Sequence, residues 1–161
     1  MARTPRLVLG GVKLREQIDR RFPDRDRRSD GWIGDRAHQD RVSDHNPDQQ
    51  GWVYAIDIDE NMGKGLWRNG RTARRLTDEL VLYAMSKLPG SDRLKYVVYE
   101  DQIASGTYRA TWWKFRGKGY GHTAHIHVSF TASALNDDRA WPLPVLAPDR
   151  QTKAAWTAQL Q

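Results

Sequence analysis

Between Val12 and Phe22 the apolar side chains Leu14, Ile18 and Phe22 recur every four residues, the stripe of one helix face, and Pro23-Asp24 stop it. The spacing predicts a short amphipathic helix with a basic outer face. The next stretch, RSDGWIGDRAHQDRVSDHNPDQQG, loses all periodicity and gathers Asp-Gly and Asn-Pro pairs, so it reads as a loop with at most one helical turn. Loops of this length inside a compact domain are usually functional or disordered. Trp32 and Ile33 offer an anchor into the core, which favours function. From Trp52 to Asp59 the period becomes two: Val53, Ala55, Asp57 and Asp59 point one way, and Tyr54, Ile56 and Ile58 the other. This is a strand with one apolar face and one acidic face.

A second helical stripe, Ala73, Leu76, Leu80, Tyr83, Ala84 and Leu88, predicts a helix over Thr72–Leu88 that Pro89-Gly90 ends. Leu94–Glu100 is β-branched and aromatic, hence a buried strand, and Ile103–Trp113 is expected to return as its partner. Ala124–Phe130 alternates again, with His125, His127 and Ser129 on one face and Ile126, Val128 and Phe130 on the other. Beyond Asp138 the prolines forbid a central strand, leaving a covering arm or a flexible tail. The order of elements predicts an α+β fold, a small, mainly antiparallel sheet with flanking helices.

Composition narrows the chemistry. The 161 residues suffice for one core, and no apolar run approaches the roughly 18 residues of a membrane span. The N-terminal stretch lacks the apolar segment of a secretory signal. The chain has no cysteine, which excludes disulfides, thiolate metal sites and a thiol nucleophile. The net charge of +6 favours an anionic partner, whether nucleic acid, a membrane surface or an acidic wall polymer.

The five histidines fall in two short windows, His38 and His45, then His122, His125 and His127. An aspartate on one strand and histidines on another, each within an apolar pattern, are costly to bury unless paired or bound to a metal. Zn²⁺ meets that need with three ligands drawn from His and Asp and an open fourth position for a water of pKa about 7. His45, Asp57 and His127 can supply the ligands; Asp59 competes with Asp57 for that role or orients a ligand histidine from outside.

At this point the residues resemble a known family. Ser43-Asp44-His45, Gly51 and Ala55-Ile56-Asp57 are similar to the S-x-H, G, A-x-D signature of zinc peptidases of the D-alanyl-D-alanine peptidase type (the LAS group), and His125-Ile126-His127 resembles their H-x-H strand. The resemblance spans about Leu14 to Phe130, and SDGWIGDRAHQDRVSDHNPD with AIDID and HTAHIHVSF is similar to the peptidase domains in lysins of phages that infect actinobacteria. It implies a Hedgehog-like fold, a zinc peptidase domain over residues 1–138 with 139–161 as arm or tail, and one Zn²⁺ on His45, Asp57 and His127. His125 then stands beside the metal, and His122 matches a histidine that lines the active site. The substrate implied is the peptidoglycan stem peptide, cut at an amide. Two departures stand out. Eleven residues separate His45 from Asp57, more than the family's usual spacing, the excess lying in the turn NPDQQG. Ala124 stands where many members carry a carboxylate base, leaving His122 and His125 as candidates for proton transfer.

Substrate contacts are expected from Arg41, with Arg36, by guanidinium–carboxylate pairing, and from Ser43, His38 and Trp113. Each has a plainer reading: Arg41 and His38 as solvated loop, and one of Trp112 and Trp113 as core. The leading expectation is a monomeric, zinc-dependent peptidoglycan peptidase of phage-lysin type. It would be made in the host cytoplasm and released to the wall by a holin, without nucleic-acid binding or membrane insertion. The alternatives are a zinc-binding wall module without catalysis, suggested by Ala124, and a metal-dependent nuclease, suggested by the charge and by Asp44-His45-Asn46.

Overall fold

The computed structural model describes residues 3–34, 42–64, 70–106 and 112–161. The elements are β1 (Arg6–Leu7), α1 (Leu9–Arg21), β2 (Trp52–Val53), β3 (Ala55–Asp59), α2 (Arg71–Met85), β4 (Leu94–Tyr99), β5 (Gln102–Ser105), β6 (His125–Phe130) and α3 (Arg150–Leu160), with short 3-10 turns between. The fold is α+β. A four-stranded sheet of order β3-β6-β4-β5 is antiparallel throughout, and β1 and β2 form a separate parallel pair.

Period-two alternation decides what each face of this sheet does. Ile56, Ile58, Ile126, Val128 and Phe130 join Leu14, Ile18, Leu76 and Leu80 of the helices in one buried cluster. The opposite face receives Asp57, His125, His127 and Ser129. The register pairs Ala55 with Ser129, Asp57 with His127 and Asp59 with His125, so the acidic face of one strand and the imidazole face of the other coincide.

Several boundaries differ from the sequence reading. The run Trp52–Asp59 is two strands, because Tyr54 leaves the first pairing: its N–H donates to the Asp44 carbonyl and its carbonyl accepts from Phe130. The second helix ends at Met85, and Lys87 then takes a left-handed φ of 58°. The return strand is only Gln102–Ser105. Trp112 and Trp113 have φ of 53° and 61° and lie outside any strand, so strand alternation does not set which way each faces. Trp32 does pack against the core, but Ile33 is half exposed.

Past Asp138 the chain forms the covering arm. Trp141, wholly buried, donates its indole N–H to the Gly10 carbonyl at 2.9 Å and packs under the Arg93 guanidinium at 4.0 Å. Leu143, Val145 and Leu146 follow it into the core, and Asp149 caps α3 by accepting from Thr152 N–H at 2.7 Å. No described helix is long and apolar enough to cross a membrane.

Candidate metal centre

Asp57 and His127 are cross-strand neighbours, so their convergence follows from register alone: His127 Nδ1 lies 3.1 Å from Asp57 Oδ1. His45 arrives from the loop. Its turn is braced by its own N–H donating to Ser43 Oγ at 3.3 Å and by Asn46 N–H donating to the Ser43 carbonyl. A charged pair between Lys95 and the Asp44 carboxylate, at 2.8 and 3.0 Å, ties the same turn to β4. The result puts His45 Nε2 at 3.0 Å from His127 Nδ1 and 3.4 Å from Asp57 Oδ2.

These three separations suit a metal. Ligands about 2.0–2.1 Å from a tetrahedral ion stand about 3.3 Å from one another. The protonation pattern agrees, since His45 Nδ1 faces the Trp32 carbonyl at 3.1 Å, which can only accept, so Nδ1 carries the proton. In the neutral ring Nε2 then presents a lone pair toward Asp57, which suits a cation between them, whereas the protonated ring pairs with the carboxylate directly. On the other side, His127 Nε2 is engaged by Ser129 Oγ at 2.7 Å, which leaves Nδ1 toward the same point. Tyr96 stacks on the His127 ring at 5.4 Å, fixing its plane. The buried group His45, Asp57 and His127 can hold a metal ion.

Burial alone would raise the Asp57 carboxyl. Hydrogen bonds to His127 and His45, and their charges, outweigh it and hold the group below the usual carboxylate range. Burial pushes His45 down, but Asp57 more than compensates and raises it, whereas His127, fully enclosed, stays below the ordinary imidazole value.

His122 and His125 stand at the open side. His122 Nδ1 is 2.5 Å from His125 Nε2, and the two lie 3.9 and 3.7 Å from the oxygens of Asp57. A tight hairpin turn builds this position. Glu100 and Asp101, at φ of 48° and 65°, join β4 to β5 as a two-residue turn of the kind that requires left-handed backbone at both central positions. Their N–H groups donate to the carbonyls of His122 and Gly121, and the Asp101 carboxylate accepts from Gly119 and Gly121. His122 is itself held at φ 57°, a conformation costing a non-glycine residue about 1 kcal/mol. Burial and the neighbouring His127 bring its pKa down to about 4.

Other expectations fare differently. Among the described residues the Asp59 carboxylate contacts no histidine and stands outside the His45, Asp57 and His127 group: it accepts from Ser29 Oγ at 2.7 Å and from Asn61 N–H at 2.9 Å, closing a turn. The orienting groups are the Trp32 carbonyl and Ser129. Ser129 was visible as the next residue on the histidine face, two after His127, whereas a backbone carbonyl leaves no mark in a sequence. Ser43 acts on the His45 turn. Trp113 packs against the core over Gly106, where a Cβ would collide with its indole, and Trp112 is the exposed member of the pair. Arg36, His38 and Arg41 lie outside the described residues. A shallow cleft of about 380 Å³ runs along β3, lined by Arg15, Asp30, Trp32, Ile33, Ile56 and Asp57 among others, and none of the described histidines lines it.

Trp32 is brought to His45 by a buried clamp. The Arg25 guanidinium, with its side chain fully enclosed, donates to Asp19 of α1 at 2.8 Å and to both oxygens of Asp30 at 2.9 and 2.5 Å. Asp30 in turn accepts from Asp59 N–H, and Gly31 exchanges two backbone hydrogen bonds with Asp57. No protein family, curated protein or solved structure matches this chain.

Proposed function

We propose that the chain is a zinc-dependent peptidase that hydrolyses amide bonds of peptidoglycan stem peptides, in the manner of phage lysins. The observation that carries this reading is the convergence of His45 Nε2, Asp57 and His127 Nδ1 on one point, each histidine held through its other nitrogen. The donor set is one carboxylate and two imidazoles without thiolate, which suits zinc at a hydrolytic site and provides fewer than four protein ligands. Zn²⁺ bound there supplies Lewis acidity toward the amide carbonyl and lowers the pKa of a water to about 7.

The chain's own residues do the rest. Asp57 stays ionised between the two ligand imidazoles and balances positive charge. His122 and His125 share one proton across their short Nδ1–Nε2 contact. The pair accepts the proton of the attacking water as the C–O bond forms, then returns it to the amide nitrogen as the C–N bond breaks.

Ala124 favours a second reading, a zinc-holding wall module without catalysis, because no carboxylate stands three residues before His127. One experiment separates the two. Purified walls are incubated with zinc-loaded protein, with and without chelator, and released muropeptides are read by mass spectrometry. The peptidase reading expects new peptide termini that disappear on chelation. Zinc retention without peptide release selects the module, and release unaffected by metal removal contradicts both.

A further inference from the structure

The helices that cover the core face of the sheet leave a cleft of about 770 Å³ on their outer side, away from the histidines. Six cations line it: Lys13, Arg20 and Arg21 from α1, Arg75 from α2, and Arg150 and Lys153 from α3. The lining holds a single carboxylate, Asp149, and that group already accepts two hydrogen bonds from Thr152. Lys13 and Arg75 have partners on their own helices, Glu16 at 3.7 Å and Glu79 at 3.1 Å. Arg20, Arg150 and Lys153 form no ion pair among the described residues.

Three elements thus bring like charges together around a concave surface. That arrangement is self-repelling and focuses field on an incoming anion. The helix that contributes Arg150 and Lys153 has no fully buried residue, and only Leu160 at its far end packs against the core. The floor is apolar, formed by Val145 and Leu146, and Trp156 forms one wall.

We propose that this cleft binds a phosphodiester-linked polyol polymer of the cell wall, which holds the protein on the wall while the opposite face works on peptide. The inference rests on the peptidase reading for its setting and deepens it by naming the partner. Charge spread along a cleft fits a flexible polyanion. The aromatic supply argues against single-stranded nucleic acid, which such surfaces bind by stacking successive bases on several rings. Here Trp156 stands alone as an open ring, since the Arg21 guanidinium lies 5.0 Å over Phe22. A duplex is too broad to enter a cleft of this volume.

The test measures binding of lipid-free poly(glycerol phosphate), and of single-stranded DNA of matched charge, to the full chain at several salt concentrations. The wild type is expected to bind poly(glycerol phosphate) more tightly than DNA, with affinity falling steeply as salt rises. The triple variant Arg20→Glu, Arg150→Glu, Lys153→Glu is expected to lose at least about tenfold in affinity at low salt, with a log–log salt slope shallower by about two. Its zinc content and its hydrolysis of a soluble stem peptide stay at wild-type values. Unchanged polymer binding by the folded variant overturns the proposal, and so does tighter binding of DNA. Absence of stem-peptide hydrolysis by the wild type overturns the peptidase reading instead, and leaves the polymer measurement readable on its own.

Discussion

The two faces of the four-stranded sheet are built from the same strands, yet they obey different rules. On the helix side, Ile56, Ile58, Ile126 and Val128 meet Leu14, Leu76, Leu80 and Trp141, and what matters is volume filled. On the other side, Asp57, His127 and Ser129 occupy the alternate positions, and what matters is which atom points where. A change of one methylene is felt on the first face as lost stability, and on the second as lost coordination. The difference teaches that stability and metal binding should separate by face, even for residues adjacent in the chain.

The largest break is expected from Trp141→Ala. Emptying this wholly buried site should cost about 3–5 kcal/mol in chemical denaturation, while the folded fraction keeps the metal stoichiometry of the wild type. Arg25→Ala tests a link that crosses between the faces, since its guanidinium joins α1 to the loop carrying Trp32. Denaturation should show a loss of about 2–3 kcal/mol from the stranded carboxylates, together with weaker metal binding, because His45 loses its orienting carbonyl. If metal affinity survives at full strength, the clamp does not position the site.

Ser129→Ala reverses the pattern. Metal affinity by competition with a chelating dye should fall about 10–100-fold as His127 loses its outer partner, with little change in midpoint temperature. A variant that loses stability but binds metal normally would place Ser129 with the core rather than the site. The smallest effect is expected from Ser43→Ala. The turn holding His45 keeps its backbone hydrogen bond and the Lys95–Asp44 pair, so thermal denaturation should register at most about 1 kcal/mol and metal affinity should shift only a few-fold.

The same contrast explains what could be read from the sequence. Alternation is local, so the shared face of His125, His127 and Ser129, and that of Asp57, were legible in two short strings. Their pairing in register was not, because it depends on which strands become neighbours. His45 was legible through its motif, but the atom it offers depends on the Trp32 carbonyl, thirteen residues away and carried by a loop without periodicity. Asp59 competes with Asp57 on alternation alone; the Ala-x-Asp match favours Asp57, and the turn at Ser29 and Asn61 shows where Asp59 goes instead. The strand break at Tyr54 was hidden because alternation continues across it. The arm was half legible: prolines excluded a strand, yet the depth to which Trp141 inserts and the helix capped by Asp149 depend on contacts with α1 and on a cap that the proline-rich context obscures.

On the proposed reading His45, Asp57 and His127 hold one metal ion on the polar face. The direct test is the zinc content of the purified, dialysed chain by mass spectrometry, for the wild type and for His127→Ala, with circular dichroism to establish that both are folded. About one equivalent retained by the wild type and none by the variant is the predicted result. A folded wild type that retains no zinc after loading, or a variant that retains a full equivalent, would contradict it.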